Sequence, residues 1–342
     1  MPSVEFEKLD VPYEMLKGKT VLVFGSTGLI GSTFVERLCE INDALDLGID
    51  IILTYRNLEK IKSRFVNLRT DTQIEYLKQD VRDPIPEDVE ADYIIHSASP
   101  AHPKAFVEDP VGVMDSNLKG VVNTLEYCRK HQGTRLLYLS SGEVYGKKIE
   151  NRPYAEIDNG LVDPMNFRSC YPESKRAAET YCRCYQHQYS VDAVIARPGH
   201  IYGPALMSES TRVDVQFMND AVAGREIVMK SEGLQKRSYC HVDDVVSAMI
   251  FILLKGTSGE AYNISNRHSD VTIRDYAHIL ADIAGTDVRM DLSESCIGTS
   301  AVQDSTLDSS KLEGLGWTAQ IPIEEGLRDV YKIFKSRGRL SI

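Results

Sequence analysis

The sequence predicts an α/β protein built on a doubly wound parallel sheet, with a smaller C-terminal lobe. Three observations carry this. Short apolar, β-branched runs alternate with helical patterns through the first half of the chain, and such runs mark parallel strands buried on both faces. Near the start, Val21-Leu-Val-Phe-Gly25-Ser-Thr-Gly28-Leu-Ile-Gly31 reads as a strand running into a glycine turn and a helix. The 342 residues, 42% hydrophobic and 26% charged, suffice for one large domain and a smaller partner, and exclude a disordered or fibrous chain.

The elements follow in order. Thr20–Phe24 reads as the first strand, followed by a helix to about Cys39. Segments 50–55, 74–77, 93–95 and 135–139 read as strands, and 58–68 and 113–131 as helices. The right-handed crossover rule makes this arrangement doubly wound, a Rossmann-type sheet. Further on, 172–189 reads as a helix and 193–197 as a strand, with helices around 215–223, 272–284 and 323–335. Residues 1–18 read as an N-terminal extension. Residues 19–198, with parts of 236–266, form the sheet domain, and 199–235 with 267–342 form a substrate-binding lobe.

Charge narrows the partners. Lys and Arg number 39 against 50 Asp and Glu, a net charge of −11. That balance repels polyanions and excludes a nucleic-acid partner. The longest apolar run, 245–254, is about half the roughly 20 residues needed to span a bilayer. The opening MPSVEFEKLD is acidic and lacks the basic and apolar regions of a secretory leader. No membrane partner and a cytoplasmic location are therefore expected. The seven cysteines show no metal-ligand spacing, and Cys182 and Cys184 point to different faces of one predicted helix. They are read as reduced structural thiols, with no metal site.

The glycine spacing is GxxGxxG. Gly25 permits a tight turn, Gly28 lets backbone approach a pyrophosphate, and Gly31 lets helix and strand pack closely. A pyrophosphate would rest on helix N–H groups, so Gly25, Thr27, Gly28, Leu29, Ile30 and Gly31 form a candidate dinucleotide cradle. A ribose-binding acid is expected some 20 residues on. The sequence places Tyr55-Arg56-Asn57 there instead. The Arg56 guanidinium fits a 2′-phosphate, which favours NADP(H). NAD(H) is the alternative, with Glu59 or an amide serving the ribose. Asp80 and Val81 end the third strand, where an Asp contacts adenine, and Ser97, Ala98 and Ser99 end the fourth and would line the cofactor.

Hydride transfer at a carbinol needs a group that gives and takes a proton. Tyr serves if a nearby cation lowers its pKa of about 10, and a Lys four residues on in a helix lies on the same face. The chain holds three such pairs: Tyr13/Lys17, Tyr171/Lys175 and Tyr331/Lys335. Position selects Tyr171/Lys175, which opens a helix after the sheet half. Ser141 and Glu143, in Ser140-Ser-Gly-Glu-Val-Tyr-Gly146, end a strand at the carboxyl edge where ligands bind. Ser141 would donate a hydrogen bond to a substrate oxygen, and Glu143 would act as a base.

Together these residues resemble the extended short-chain dehydrogenase/reductases, the nucleotide-sugar epimerase and dehydratase family. The likeness runs through Asn117-x-x-Gly120, Arg197-Pro198-Gly-His200-Ile-Tyr-Gly-Pro204, Arg237-Ser-Tyr-Cys-His-Val-Asp-Asp244, Tyr262-Asn-Ile-Ser-Asn266 and Ser310-Lys-Leu-Glu-Gly-Leu-Gly-Trp317. Within the family, Ala98-Ser-Pro-Ala-His-Pro103, Arg168-Ser-Cys-Tyr-Pro-Glu-Ser-Lys175 and Thr211-Arg-Val-Asp-Val-Gln-Phe217 are similar to segments of UDP-glucuronate decarboxylases. The resemblance implies Asn117 and Pro198 at the cofactor. It also implies Ser141, Gly142, His200, Arg212 and Arg237 at a nucleotide-diphosphate sugar. It further implies a homodimer through a four-helix interface formed by the helices at 113–131 and 172–189, with Leu125, Cys128, Tyr181 and Tyr185 as contacts. His96 and His241 are read as structural.

Three departures shape the functional expectation. Arg56 replaces the strand-end acid. Gly142 stands where relatives carry Ser or Asp. His200 stands where many relatives carry Asn. Each spares simple hydride transfer, and together they favour net reduction of a nucleotide-linked keto sugar by NADPH. A CDP-linked pentulose for a surface or capsule polysaccharide precursor is one such substrate. In that reaction Tyr171 donates the proton, Lys175 lowers the Tyr pKa and holds the nicotinamide ribose, and Ser141 polarises the carbonyl. The alternative is a decarboxylase, epimerase or 4,6-dehydratase with tightly bound NAD, and a lesser one is a non-catalytic NADP-binding sensor.

Overall fold

The structure, a computed structural model, describes residues 4–148, 150, 152–204, 212–292 and 304–339. Its strands are β1 (Thr20–Phe24), β2 (Asp50–Tyr55), β3 (Gln73–Lys78), β4 (Tyr93–His96), β5 (Arg135–Leu139), β6 (Asp192–Pro198), β7 (His200–Tyr202), β8 (Ile227–Met229), β9 (Lys236–His241), β10 (Ala261–Ile264), β11 (Asp270–Thr272), β12 (Val288–Met290) and β13 (Asp304–Ser305). Its helices are α1 (Leu29–Leu45), α2 (Leu58–Arg64), α3 (Pro103–Glu108), α4 (Pro110–Lys130), α5 (Cys170–Tyr189), α6 (Val213–Val222), α7 (Val242–Lys255), α8 (Ile273–Ala284), α9 (Ser310–Glu313) and α10 (Ile323–Arg339).

Seven parallel strands form the main sheet in the order β10-β6-β5-β4-β1-β2-β3. β1 pairs on one edge with β2, Val21 opposite Ile51, and on the other with β4, Val21 opposite Tyr93. The strand order therefore reverses at β1/β4, the switch point at whose carboxyl ends sheets of this kind bind ligands. This is the Rossmann-type sheet that the alternating runs predict.

Helices cover both faces because the strands are apolar on both. On one face Phe34, Val35 and Leu38 of α1 pack with Val245, Met249 and Ile252 of α7. On the other, Val121 and Leu125 of α4 pack with Ala178 and Cys182 of α5. From Val242 to Leu254 every residue of α7 except Asp243 is buried. A helix apolar all round has no amphipathic period, so the sequence shows it only as an apolar run. Among the described residues no helix is long and apolar enough to cross a membrane.

A separate core of Tyr202, Phe217, Met218, Tyr276, Leu280 and Leu327 builds the lobe around α6, α8 and α10. Packing divides the chain differently from the sequence boundaries in two places. Phe6, Tyr13 and Leu16, in the segment read as an extension, are buried in the core beneath α1. Leu312, Trp317 and Ile321, assigned by sequence to the lobe, pack into that same core. Trp317 Nε1 donates to Ser247 Oγ at 2.9 Å, and the Asp244 carboxylate accepts from the backbone N–H groups of Gln320 and Ile321 at 2.8 and 3.0 Å.

Candidate active site

The glycine cradle lies at the switch point. Gly25 has φ +79°, and a Cβ there would lie 2.6 Å from the Ser97 carbonyl carbon, so only glycine makes the turn against β4. Gly28 caps α1 and is exposed, with the nearest atom to an added Cβ 3.4 Å away. The protein itself leaves Gly28 room, which is what close approach by a ligand requires. Gly31 has none: a Cβ would press on the Gly25 carbonyl oxygen and lie 2.8 Å from Ser97 Oγ. Thr27, Leu29 and Ile30 are half-buried around it.

The other predicted cofactor residues gather at the same edge. Ser97 Oγ donates to the Phe24 carbonyl at 2.6 Å and so ties the end of β4 to β1 beside the cradle. Ser99 Oγ and Ser140 Oγ are buried without a hydrogen-bond partner. Asn117 Nδ2 donates to Ser174 Oγ at 2.8 Å, while its Oδ1 has no partner. Buried polar atoms normally find partners, so these three fit a polar ligand in the crevice, and a nicotinamide dinucleotide supplies one. Ala98 and Val81 are half-buried beside them, and Pro198 ends β6 nearby. Arg56 is exposed at the end of β2, 3.9 Å from Asp80. Glu59 is exposed in the first turn of α2.

The residues expected to handle the proton meet where α5 begins. Tyr171 lies in the first turn of α5, packed against the Phe106 ring at 4.9 Å and hydrogen-bonded with Ser141. Burial holds its phenol above the ordinary range and Glu143 adds to this, while Ser141, Arg168 and Arg212 act the other way. Lys175, one turn on, donates to the Leu139 carbonyl at 2.7 Å, and burial lowers its pKa to about 7. Arg168 and Arg212 are the cations that act most strongly on the phenol, and Lys175 Nζ lies 5.9 Å from the centre of its ring. Glu143 N–H donates to Ser141 Oγ at 3.2 Å, and the Glu143 carboxylate accepts from Arg168 at 3.1 Å. Arg168 also stacks 4.3 Å over Phe106. Phe106, on α3, and Arg168 escape the sequence reading because only tertiary packing joins them to Tyr171. The one usable signal was Arg168 inside the segment that also holds Tyr171.

The residues expected at a substrate lie largely on the strands beyond the main sheet. His200 lies on β7 beside Tyr239 of β9. Burial, with Arg237 and Arg212 adding, pushes its imidazole well below the ordinary value, so it is neutral at physiological pH. Arg212 forks onto Asp214 at 3.0 and 2.6 Å and donates to the Ile201 carbonyl at 2.7 Å. Arg237 donates to Gln235 at 3.1 Å. Gly142 faces Leu307, whose Cδ1 would be 3.2 Å from an added Cβ. Leu307, unmarked in the sequence, thus fills the space a side chain at 142 would take. Thr211 lies outside the described residues.

Two expected dimer contacts move inward. Leu125 and Cys128 are buried in the monomer's own core. Tyr181 and Tyr185 remain on the outer face of α5, lining a shallow depression with Tyr189. His96 is fully buried between Phe24 and Tyr138, and His241 is buried beside Tyr202.

A glycine cradle at the switch point, with a Ser–Tyr–Lys set at the neighbouring strand end, defines an enzyme of the short-chain dehydrogenase/reductase class. A model of the NAD dependent epimerase/dehydratase family matches residues 21–265, and the chain belongs to that family. It is 30% identical to UDP-glucuronic acid decarboxylase 6 of Arabidopsis thaliana over 93% of this chain and 89% of the relative. It is 28% identical to UDP-glucuronic acid decarboxylase 1 of Xenopus tropicalis, over 93% of this chain and 72% of that one. Its fold is shared with dTDP-glucose 4,6-dehydratase of Streptomyces venezuelae with NAD bound, at TM-score 0.81 and 24% identity, covering 94% and 98% of the two chains. It is likewise shared with UDP-glucose 4-epimerase of Thermotoga maritima with UDP-glucose, at TM-score 0.80 and 24% identity, covering 93% and 99%.

Proposed function

We propose that the protein transforms a nucleotide-activated sugar through an internal redox cycle, and that decarboxylation of a nucleotide uronate is the form its site fits best. The observation that carries this is the Tyr171/Ser141 couple set beside the Glu143–Arg168 pair, in a chain similar to UDP-glucuronic acid decarboxylases over 93% of its length. Tyr171 takes the proton of a ring hydroxyl as the adjacent carbon gives up hydride. A nicotinamide dinucleotide held by the glycine cradle would supply the hydride acceptor and, later, the hydride donor. The β-keto acid so formed loses CO₂, the resulting enolate takes a proton, and Tyr171 returns its proton to the oxygen as hydride comes back. Ser141 holds that oxygen, Lys175 anchors the nicotinamide ribose, and His200, Arg212 and Arg237 face the nucleotide diphosphate. Dehydration suits the site less: a departing hydroxyl needs a positioned acid, and Gly142 has no side chain while Leu307 fills the space.

This reading displaces the net NADPH-dependent reduction that the sequence departures favour. That reduction stays the second reading, because burial keeps Tyr171 protonated, as a proton donor must be, and Arg56 stands where an acid is usual. Its substrate would be a nucleotide-linked keto sugar such as a CDP-pentulose. Both readings place the enzyme in the cytoplasm as a dimer through the outer faces of α4 and α5.

The test identifies the nucleotide released on denaturing the purified protein, then supplies UDP-glucuronate. CO₂ release with no net change in nicotinamide redox state is the expected result. Absence of CO₂ release, with stoichiometric NADPH consumption on a keto sugar, overturns the internal cycle in favour of the second reading.

A further inference from the structure

Arg168 meets its partner with only part of its guanidinium. A single Nη reaches both oxygens of the Glu143 carboxylate, at 3.1 and 3.3 Å, so the pair is not a two-armed fork. The Nε–H on the other arm is buried and has no acceptor among the described residues. The side chain is held in place nonetheless. Its guanidinium carbon lies 4.3 Å from the centre of the Phe106 ring, and the Phe106 ring lies 4.9 Å from that of Tyr171. The main chain beneath is pinned too: Arg168 N–H donates to Asn166 Oδ1 at 3.0 Å, and Ser169 Oγ donates to the Asp163 carbonyl at 2.6 Å. A buried donor without a partner costs about 1–3 kcal/mol, so native proteins rarely keep one unless a ligand or water completes it. The parallel N–H bonds of a guanidinium match a carboxylate or a phosphate. His200 and Arg237, on β7 and β9, are the residues set for the diphosphate. Arg168 belongs instead to the turn that leads into α5 and delivers Tyr171, so an anion it meets is carried by the sugar, close to the reacting carbon. Glu143 already neutralises part of its charge, which suits a monoanion better than a dianion.

We propose that Arg168 is the residue that selects an acidic sugar: its buried Nε–H receives the carboxylate of a nucleotide uronate, in competition with Glu143. The proposal rests on the nucleotide-sugar reading above and deepens it by naming what distinguishes a uronate from a neutral sugar. Two acceptors then share one guanidinium, Glu143 on an Nη and the ligand on Nε. Because Glu143 draws on the same cation, the ligand's carboxylate is held less firmly than a lone arginine would hold it. That moderates the grip on a group which, in decarboxylation, has to leave.

The test is calorimetric titration of the full chain, with NAD⁺ present, using UDP-glucuronate and UDP-glucose, which differ only in a carboxylate against a hydroxymethyl group on the ring. Every chain titrated carries Tyr171→Phe, so that bound uronate is not consumed. The uronate is expected to bind about 10-fold more tightly. Adding Arg168→Gln erases that gap. Adding Glu143→Gln instead, which frees the guanidinium, widens it about 3- to 10-fold. The widening is a gain of affinity, which a damaged fold does not produce. Equal affinity for the two ligands in the Tyr171→Phe chain overturns the proposal, as does a gap that survives Arg168→Gln or fails to widen with Glu143→Gln. The two readings fail separately. If the unaltered chain releases CO₂ from UDP-glucuronate while the gap ignores Arg168, the internal cycle stands and only the selector falls. If the gap depends on Arg168 and no CO₂ is released, recognition of the acid stands and decarboxylation falls. If neither nucleotide sugar binds, the nucleotide-sugar reading falls and takes the selector with it.

Discussion

Lys175 stands one helical turn after Tyr171, yet its ammonium bonds the Leu139 carbonyl at 2.7 Å and stays 5.9 Å from the centre of the Tyr171 ring. The spacing brings the two residues to one face of α5, and the fold then commits the cation to the end of β5. The Leu139 carbonyl, a ring face of Tyr138 at 4.8 Å, and the Glu179 and Cys182 side chains partly offset its burial.

That burial makes folding stability depend on pH. The folded Lys175 loses its proton near pH 7, whereas an unfolded lysine keeps it to about 10.5. Between pH 7 and 9 the unfolded chain therefore binds more protons, and stability from this group rises by about 1.4 kcal/mol per pH unit. Lys175→Met removes that contribution. Urea melts across the window should show the variant's advantage shrinking as pH rises. Parallel curves would mean that the native lysine stays charged.

Tyr171→Phe deletes the proton carrier and leaves the ring packed on Phe106. Hydride transfer, followed by nicotinamide absorbance with a nucleotide sugar, should slow about 10²- to 10⁴-fold, while dinucleotide affinity is kept. A variant retaining most of its rate would assign proton transfer to another group, with Glu143 the nearest candidate.

Behind the site, Arg197 forks onto Glu179 at 2.9 and 2.5 Å and donates to Tyr145 Oη at 2.9 Å, while Tyr145 donates to Asn263 Oδ1 at 2.6 Å. Removing one partner of a buried pair strands the other charge. Glu179→Gln should cost about 3–5 kcal/mol, and Tyr145→Phe about 1–2 kcal/mol, by calorimetric melting. Equal losses would show that the ion pair contributes no more to stability than the Tyr145 hydroxyl.

Gly142 and Leu307 are coupled through the space between them. Gly142→Ser should cost about 1–2 kcal/mol through crowding at the Leu307 methyl, and Leu307→Ala about 2–5 kcal/mol through the cavity it leaves. The double variant should be more stable than the sum of the two losses predicts. Strict additivity in melts would show that the two sites do not share the cavity.

What the sequence revealed, it revealed where the signal is local. β1, the turn at Gly25 and the start of α1 are adjacent in the chain, and each glycine's role follows from one strand–turn–helix unit. The Tyr–Lys spacing by itself could not choose among three pairs, and the two decoys have structural work. Tyr13 donates to the Phe6 carbonyl within the N-terminal segment, and Tyr331 accepts from Lys335 at 2.8 Å on α10. Strands β7, β8 and β11–β13 were invisible because runs of two or three residues carry no period. Phe106 and Leu307 were missed as site residues because their relevance comes only from distant segments folding together, and Arg168 because its partners Glu143 and Phe106 do.

The shared core of residues 4–16 and 312–321 carries a consequence for how the chain is made. Val4, Phe6 and Leu16 leave the ribosome about 300 residues ahead of Leu312, Trp317 and Ile321, and the apolar surface they share stays open until those arrive. At roughly 5–20 residues per second, that wait is on the order of tens of seconds. Throughout it the nascent protein presents an unsealed greasy flank, which makes this side of the sheet the natural point of engagement for a chaperone during translation.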